Sequence, residues 1–242
     1  GGTALVKDVN PPGGSSFAAP RGALNSTTVI FTASDNRIES FFLTGHGTEL
    51  WKSNGTAAGT VLVKDIRPGT ASSSPLGVME TAPGIYAFAT LNGVAYFSAD
   101  NGVNGRELWK SDGTEAGTVL VKDIVPGANA SSPTSMVVVN NKLYFVVTIS
   151  GGTQLWESDG TEANTVMVDD QISNMSQLVV SGTTLYLVGS QSAVETELFR
   201  LPNVRPAPFT IPQSPLPTTQ TVAVGAAFTL ASAATGGTPT FQ

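Results

Sequence analysis

Carboxylates placed in step with aromatic residues are the first candidates for chemistry. Glu49, Glu107 and Glu197 each stand two residues before an aromatic side chain (Trp51, Trp109 and Phe199), and Gln154 holds the same place before Trp156. A general acid and base must meet across roughly 5–10 Å. Equivalent positions of a repeat come that close only near a common axis, so hydrogen bonding to neighbouring units is the expected role and no catalytic residue is assigned. The aromatic faces could stack on sugars, but an aromatic residue at one position of every unit is expected to be core. A second set, Asp8, Asp65, Asp123 and Asp170, could line a rim and hold Ca²⁺ through carboxylate oxygens. The run Asp-Ile-x-Pro-Gly at Asp65 and Asp123 favours turn capping instead, so Ca²⁺ is an option and no metal ligand is assigned. Asp112 and Asp159 begin Asp-Gly turns without the spacing of an EF-hand loop.

Two insertions outside the repeated pattern, Asn36–Thr44 and Thr81–Leu91, are the candidate ligand-binding regions. Phe41, Phe42, Tyr86 and Phe88 are their apolar contact residues. His46, in a glycine-flanked loop, is expected to be solvated. It is the single histidine, and there is no cysteine, which excludes disulfides, thiolate chemistry and multi-histidine metal centres. The formal net charge of −6 disfavours a nucleic-acid partner. No apolar run reaches the roughly 20 residues of a spanning helix. The chain opens at Gly1 without a methionine or a leader pattern and is expected to be a processed or trimmed segment.

An internal repeat positions these residues. Glu49–Ile66 recurs at Glu107–Ile124, more loosely at Gln154–Gln171, and degenerately from Glu197. Upstream of each lies a second shared run, Val29–Asp35, Val94–Asp100, Lys142–Val147 and Thr184–Val188. Each unit reads as four strands, which in the third copy are Ser135–Asn140, Lys142–Ile149, Thr153–Ser158 and Thr165–Asp170. The Asp-Gly pair is expected to make the last hairpin. Four-stranded units at this period predict an all-β fold, a β-propeller of about four blades, in preference to a β-solenoid. The expected blades are 17–66, 76–124, 135–170 and 177–201, within a propeller region of 1–203. Gly2–Val9 repeats the outer-strand pattern of Gly59–Ile66 and is expected to complete the last blade and close the ring. The alternative is a slice of a longer array.

Six prolines between Pro202 and Pro217 predict an extended linker over 204–220. Residues 221–242 then read as two strands, too few to be stable alone.

The sequence Glu107-Leu108-Trp109-Lys110-Ser111-Asp112-Gly113-Thr114, with its looser copies, resembles the ELWxxDGT repeat of large secreted bacterial proteins. The tail is similar to the start of a bacterial Ig-like module. These resemblances imply a secreted or cell-surface, non-enzymatic structural or adhesive module. Its partners would be other domains of the same protein, copies joined by strand addition, or surface glycans. A glycan-binding propeller is the alternative, and a polysaccharide-active enzyme a more distant one.

Overall fold

The computed structural model describes residues 2–10, 14–39, 42–74, 87–191 and 196–201. All belong to the unit Gly1–Pro208, so the expected linker and Ig-like segment lie outside the described residues.

The described residues form only strands, turns and loops. Blade 1 contains β1 (Ala19–Ala23), β2 (Val29–Ser34), β5 (Thr48–Ser53) and β6 (Val61–Lys64), with a separate ribbon of β3 (Arg37–Glu39) and β4 (Phe42–Thr44) inserted between β2 and β5. Blade 2 is β7 (Phe88–Leu91), β8 (Val94–Asp100), β9 (Arg106–Ser111) and β10 (Val119–Lys122). Blade 3 is β11 (Thr134–Val139), β12 (Lys142–Ile149), β13 (Gly152–Ser158) and β14 (Val166–Asp169). Blade 4 has three described strands, β15 (Ser173–Ser181), β16 (Thr184–Ser190) and β17 (Glu197–Leu201). Every pairing is antiparallel between strands that follow one another in the blade, because short polar turns join runs rich in Val, Tyr, Phe and Trp. Asn92-Gly93, with φ of 53° and 75°, makes a two-residue turn between the paired Leu91 and Val94.

The blades stack through both faces, which is why their strands carry apolar runs with little alternation. Ile30, Leu50 and Val63 of blade 1 share a core with Phe97, Ala99 and Trp109 of blade 2. Tyr96 and Leu108 of blade 2 share one with Leu143, Phe145 and Val147 of blade 3. Tyr144 and Leu155 of blade 3 meet Met175, Leu185 and Leu187 of blade 4. The first strands also touch in sequence, β1 with β7, β7 with β11 and β11 with β15.

Two expectations are corrected. Asp-Gly does not close a tight hairpin: β9 ends at Ser111 and β10 starts at Val119. Side-chain hydroxyls build the longer loop. Asp112 Oδ1 accepts from the amide and hydroxyl of Thr114, the Thr114 hydroxyl accepts from Gly117 N, and Ser111 and Thr118 hydroxyls pair at 2.7 Å. Asn54 and Asp159 make the same contacts to Thr56 and Thr161. Nor does the N-terminal segment complete blade 4. Residues 2–8 form no strand, and β17 pairs only with β16 among the described strands. Instead Lys7 Nζ donates to Thr60 O at 2.8 Å, fastening the segment to blade 1.

Candidate functional site

The acids are held one by one in backbone clips. Glu49 is fully buried and accepts from Ile66 N (3.1 Å), Ser73 N (2.8 Å) and the Ser73 hydroxyl. Glu107 repeats this with Ile124 N (3.0 Å), Ser131 N (2.9 Å) and the Ser131 hydroxyl. Each carboxylate thus ties its β-strand to the segment that crosses to the next blade. Burial pushes Glu49 up to about 7 and raises Glu107, and the donated hydrogen bonds only partly offset this. In the third copy Gln154 Oε1 accepts from Trp156 Nε1, and in the fourth Glu197 is exposed.

Trp51 and Trp109 are buried, Trp156 packs partly buried against the core of blades 2 and 3, and Phe199 against that of blades 3 and 4. Asp65 and Asp123 cap turns, their Oδ2 atoms accepting from Gly69 N and Gly127 N, and Asp123 also accepts from Asn104 Nδ2 at 2.8 Å. Asp112 and Asp159 sit in the loops described above. Among the described residues no three His, Cys, Asp or Glu side chains gather as a metal site.

The remaining expected contact residues separate. Phe41 and Tyr86 lie outside the described residues. Phe88 is corrected: it sits on β7, the first strand of blade 2, partly buried against the core shared with blade 1. Its ring so crowds Gly22 that a Cβ there would lie 2.5 Å from Phe88 Cε1. Phe42 alone stands out, 74% exposed on β4.

Phe42 has exposed aliphatic neighbours on the same ribbon. Ile38 is 79% exposed, Leu43 is 53% exposed, and the two are directly paired across the β3–β4 ribbon. Phe42 pairs with Glu39 at the next position, where the pleat turns the side chain to the opposite face. The ribbon's root is locked from both sides. Asp35 accepts from His46 N and contacts His46 Nδ1, both at 2.7 Å, while Asn36 accepts from Gly47 N and donates to Thr70 O. The hydrogen bond that Asp35 accepts raises the pKa of His46, so the histidine is a fastening of the root as well as a solvated residue. The equivalent connection of blade 2 carries Val103, 69% exposed.

No protein-family model matches the chain, and no curated protein matches it. Among solved structures, puromycin hydrolase is similar over 77% of this chain and 27% of its own, with 17% identity and a TM-score of 0.49. A puromycin-hydrolyzing peptidase of Mycobacterium tuberculosis is similar over 83% of this chain and 31% of its own (16% identity, TM-score 0.45). TolB of Acinetobacter baumannii is similar over 75% of this chain and 40% of its own (12% identity, TM-score 0.45). The chain therefore spans between about a quarter and two fifths of these proteins. Such likeness assigns no activity. Several of these structures are named as hydrolases or peptidases and none as an adhesin, and the expectation of a structural or adhesive surface module is withdrawn.

Proposed function

We propose that the chain is a run of β-propeller blades that binds an extended apolar segment of polypeptide at the β3–β4 ribbon, leaving any bond cleavage to residues outside these blades. The observation that carries this reading is the exposure of Ile38, Phe42 and Leu43 on a ribbon whose root is locked by Asp35, Asn36, His46 and Gly47. A preorganised apolar element loses little conformational freedom on binding. Two of the three side chains are aliphatic, which suits an apolar polypeptide better than a pyranose. In the ribbon β3 and β4 pair with each other, and each has a further edge to which an extended chain can add by backbone hydrogen bonds. The sequential stacking of four-stranded blades supports the propeller reading.

The test uses reduced, carboxymethylated α-lactalbumin as an unfolded polypeptide and dextran as the carbohydrate control. Phe42→Ser removes an apolar side chain worth about 1.5–3 kcal/mol when buried, so affinity for the polypeptide should fall about tenfold or more. Binding of dextran alone, or polypeptide binding unchanged in Phe42→Ser and Ile38→Ser, contradicts the proposal.

A further inference from the structure

Two contacts recur where blade 1 meets blade 2 and blade 2 meets blade 3, and a third is made at the first of these junctions. A lysine on the third strand reaches the turn of the following blade: Lys52 Nζ donates to Gly113 O (2.7 Å) and Lys110 Nζ to Gly160 O (2.8 Å). A lysine on the outer strand reaches the same loop, as Lys64 Nζ does to Thr118 O (2.9 Å). A residue just past the outer strand then meets the end of the next blade's second strand, as Arg67 meets Asp100 at 2.7 Å.

The N-terminal segment makes the second of these contacts with blade 1, and a side chain just past it bonds close to the end of β2. Lys7 Nζ donates to Thr60 O, and buried Asn10 donates from Nδ2 to Asn36 O at 2.9 Å. Its sequence, Gly2-Thr3-Ala4-Leu5-Val6-Lys7-Asp8, differs from Gly59–Asp65 only at Ala4. It therefore lies where the outer strand of a blade preceding blade 1 would lie. The first contact is still open. Gly113 and Gly160, both at positive φ, are closely overlain by Leu24 and Tyr96 of the preceding blades, whereas a Cβ placed on Gly55 would meet nothing within 4 Å among the described residues.

Blade 4 has the complementary features. Its third strand, β17, carries Arg200 at the position of Lys52 and Lys110, exposed, and Leu198 beside it is 66% exposed. No outer-strand pattern follows Leu201, and the prolines from Pro202 onward lack the amide donors that a ladder needs. Both features exist within one chain without pairing there, so closure by the chain's own segment would require rearrangement. A second copy makes the pairing without one.

We infer that blade 4 docks on blade 1 of a second copy of this chain, taking residues 3–7 of that copy as its fourth strand. This rests on the propeller reading above. Matching Trp109↔Leu120 and Lys110↔Val119 sets the register as Phe199 opposite Leu5 and Arg200 opposite Ala4. Arg200 then reaches Gly55 O. Reciprocal exchange joins two four-blade arcs into eight blades, within the range propellers occupy.

The chain has no cysteine, so single-cysteine variants report the contact cleanly. Leu5→Cys mixed with Phe199→Cys under mild oxidation should give a mixed disulfide several-fold above a Val103→Cys plus Phe199→Cys control. The wild-type solution mass should be twice 24.9 kDa, and Arg200→Glu should weaken association about tenfold or more. A Leu5→Cys/Phe199→Cys double variant that cross-links only within one chain overturns the inference, as does a mixed yield no higher than the control. Polypeptide binding by the same variants reports the proposed function separately.

Discussion

Blades 1 and 2 are each bolted to the blade that follows, and blade 3 is not. Lys52 and Lys64 cross the first junction and Lys110 and Lys122 the second, each ending on a backbone carbonyl. Arg67 and Arg106 reinforce the first through Asp100 and Ser74 O. In blade 3 the two lysine positions hold Glu157 and Asp169. Glu157 turns back to Lys142 of its own blade, and with burial it pushes Tyr144 upward. The third junction has its apolar core and neutral hydrogen bonds such as Ser135 Oγ to Ser176 O (3.0 Å) and Met175 N to Thr153 Oγ1 (2.9 Å). A hydrogen bond from a charged group contributes about 1.5–3 kcal/mol against about 1 for a neutral one, before screening at a partly exposed junction. Divergence of the third copy thus falls on the residues that join blades, and blade 4 is the part expected to move.

The largest effects should come from the cores. Phe97→Ala, at the bolted first junction, should cost about 3–5 kcal/mol and lower the main calorimetric transition. Leu187→Ala, at the third junction, should cost about 2–5 kcal/mol but loosen blade 4 alone. Equal effects on one shared transition would break the comparison.

The buried clips come next. Glu49→Ala leaves buried donors at Ile66 and Ser73 unpaired and should cost about 1–3 kcal/mol. Because the folded value of Glu49 lies above its unfolded value near 4.5, its contribution is full below pH 4.5 and lost as pH rises to about 7. Wild type should therefore be more stable in chemical denaturation at pH 5 than at pH 8, and Glu49→Gln should flatten that slope. Removing the bolts singly, as Lys52→Met or Lys110→Met, should cost about 1 kcal/mol each. Glu157→Gln should leave the third junction unchanged, which sharpens the contrast.

The smallest effect concerns the ribbon root. The raised value of His46 means a contribution present below its ordinary 6.5 and lost as pH rises through the folded value. Asp35→Asn should return His46 towards 6.5 by NMR titration and loosen residues 37–39 and 42–44.

Strand positions were legible in the sequence to within one or two residues, as Lys142–Ile149 and Thr165–Asp170 against Val166–Asp169 illustrate. Repetition amplifies a weak local signal, because an error would have to recur in every copy. The Asp-Gly loop was misread because Thr114 and Thr118 hydroxyls, which no turn pattern weighs, lengthen it. The ribbon was seen as an insertion, yet only its phenylalanines were weighed, and Ile38 and Leu43 were missed. Phe88 was misplaced because an apolar residue in an irregular insertion reads as surface until the adjoining strand is known. The lysine bolts recur in the sequence, but their partners lie 40 to 61 residues away, and only the stacked blades bring them together.

Three bolted blades carry the ribbon, and the fourth blade is joined more weakly. Residue-resolved hydrogen exchange of the intact chain tests this difference most directly. Amides of β8, β9, β12 and β13 should exchange only on global unfolding, while those of β15–β17 should exchange earlier and as a group. Uniform protection across all four blades, or earlier exchange in blade 2 than in blade 4, would contradict it.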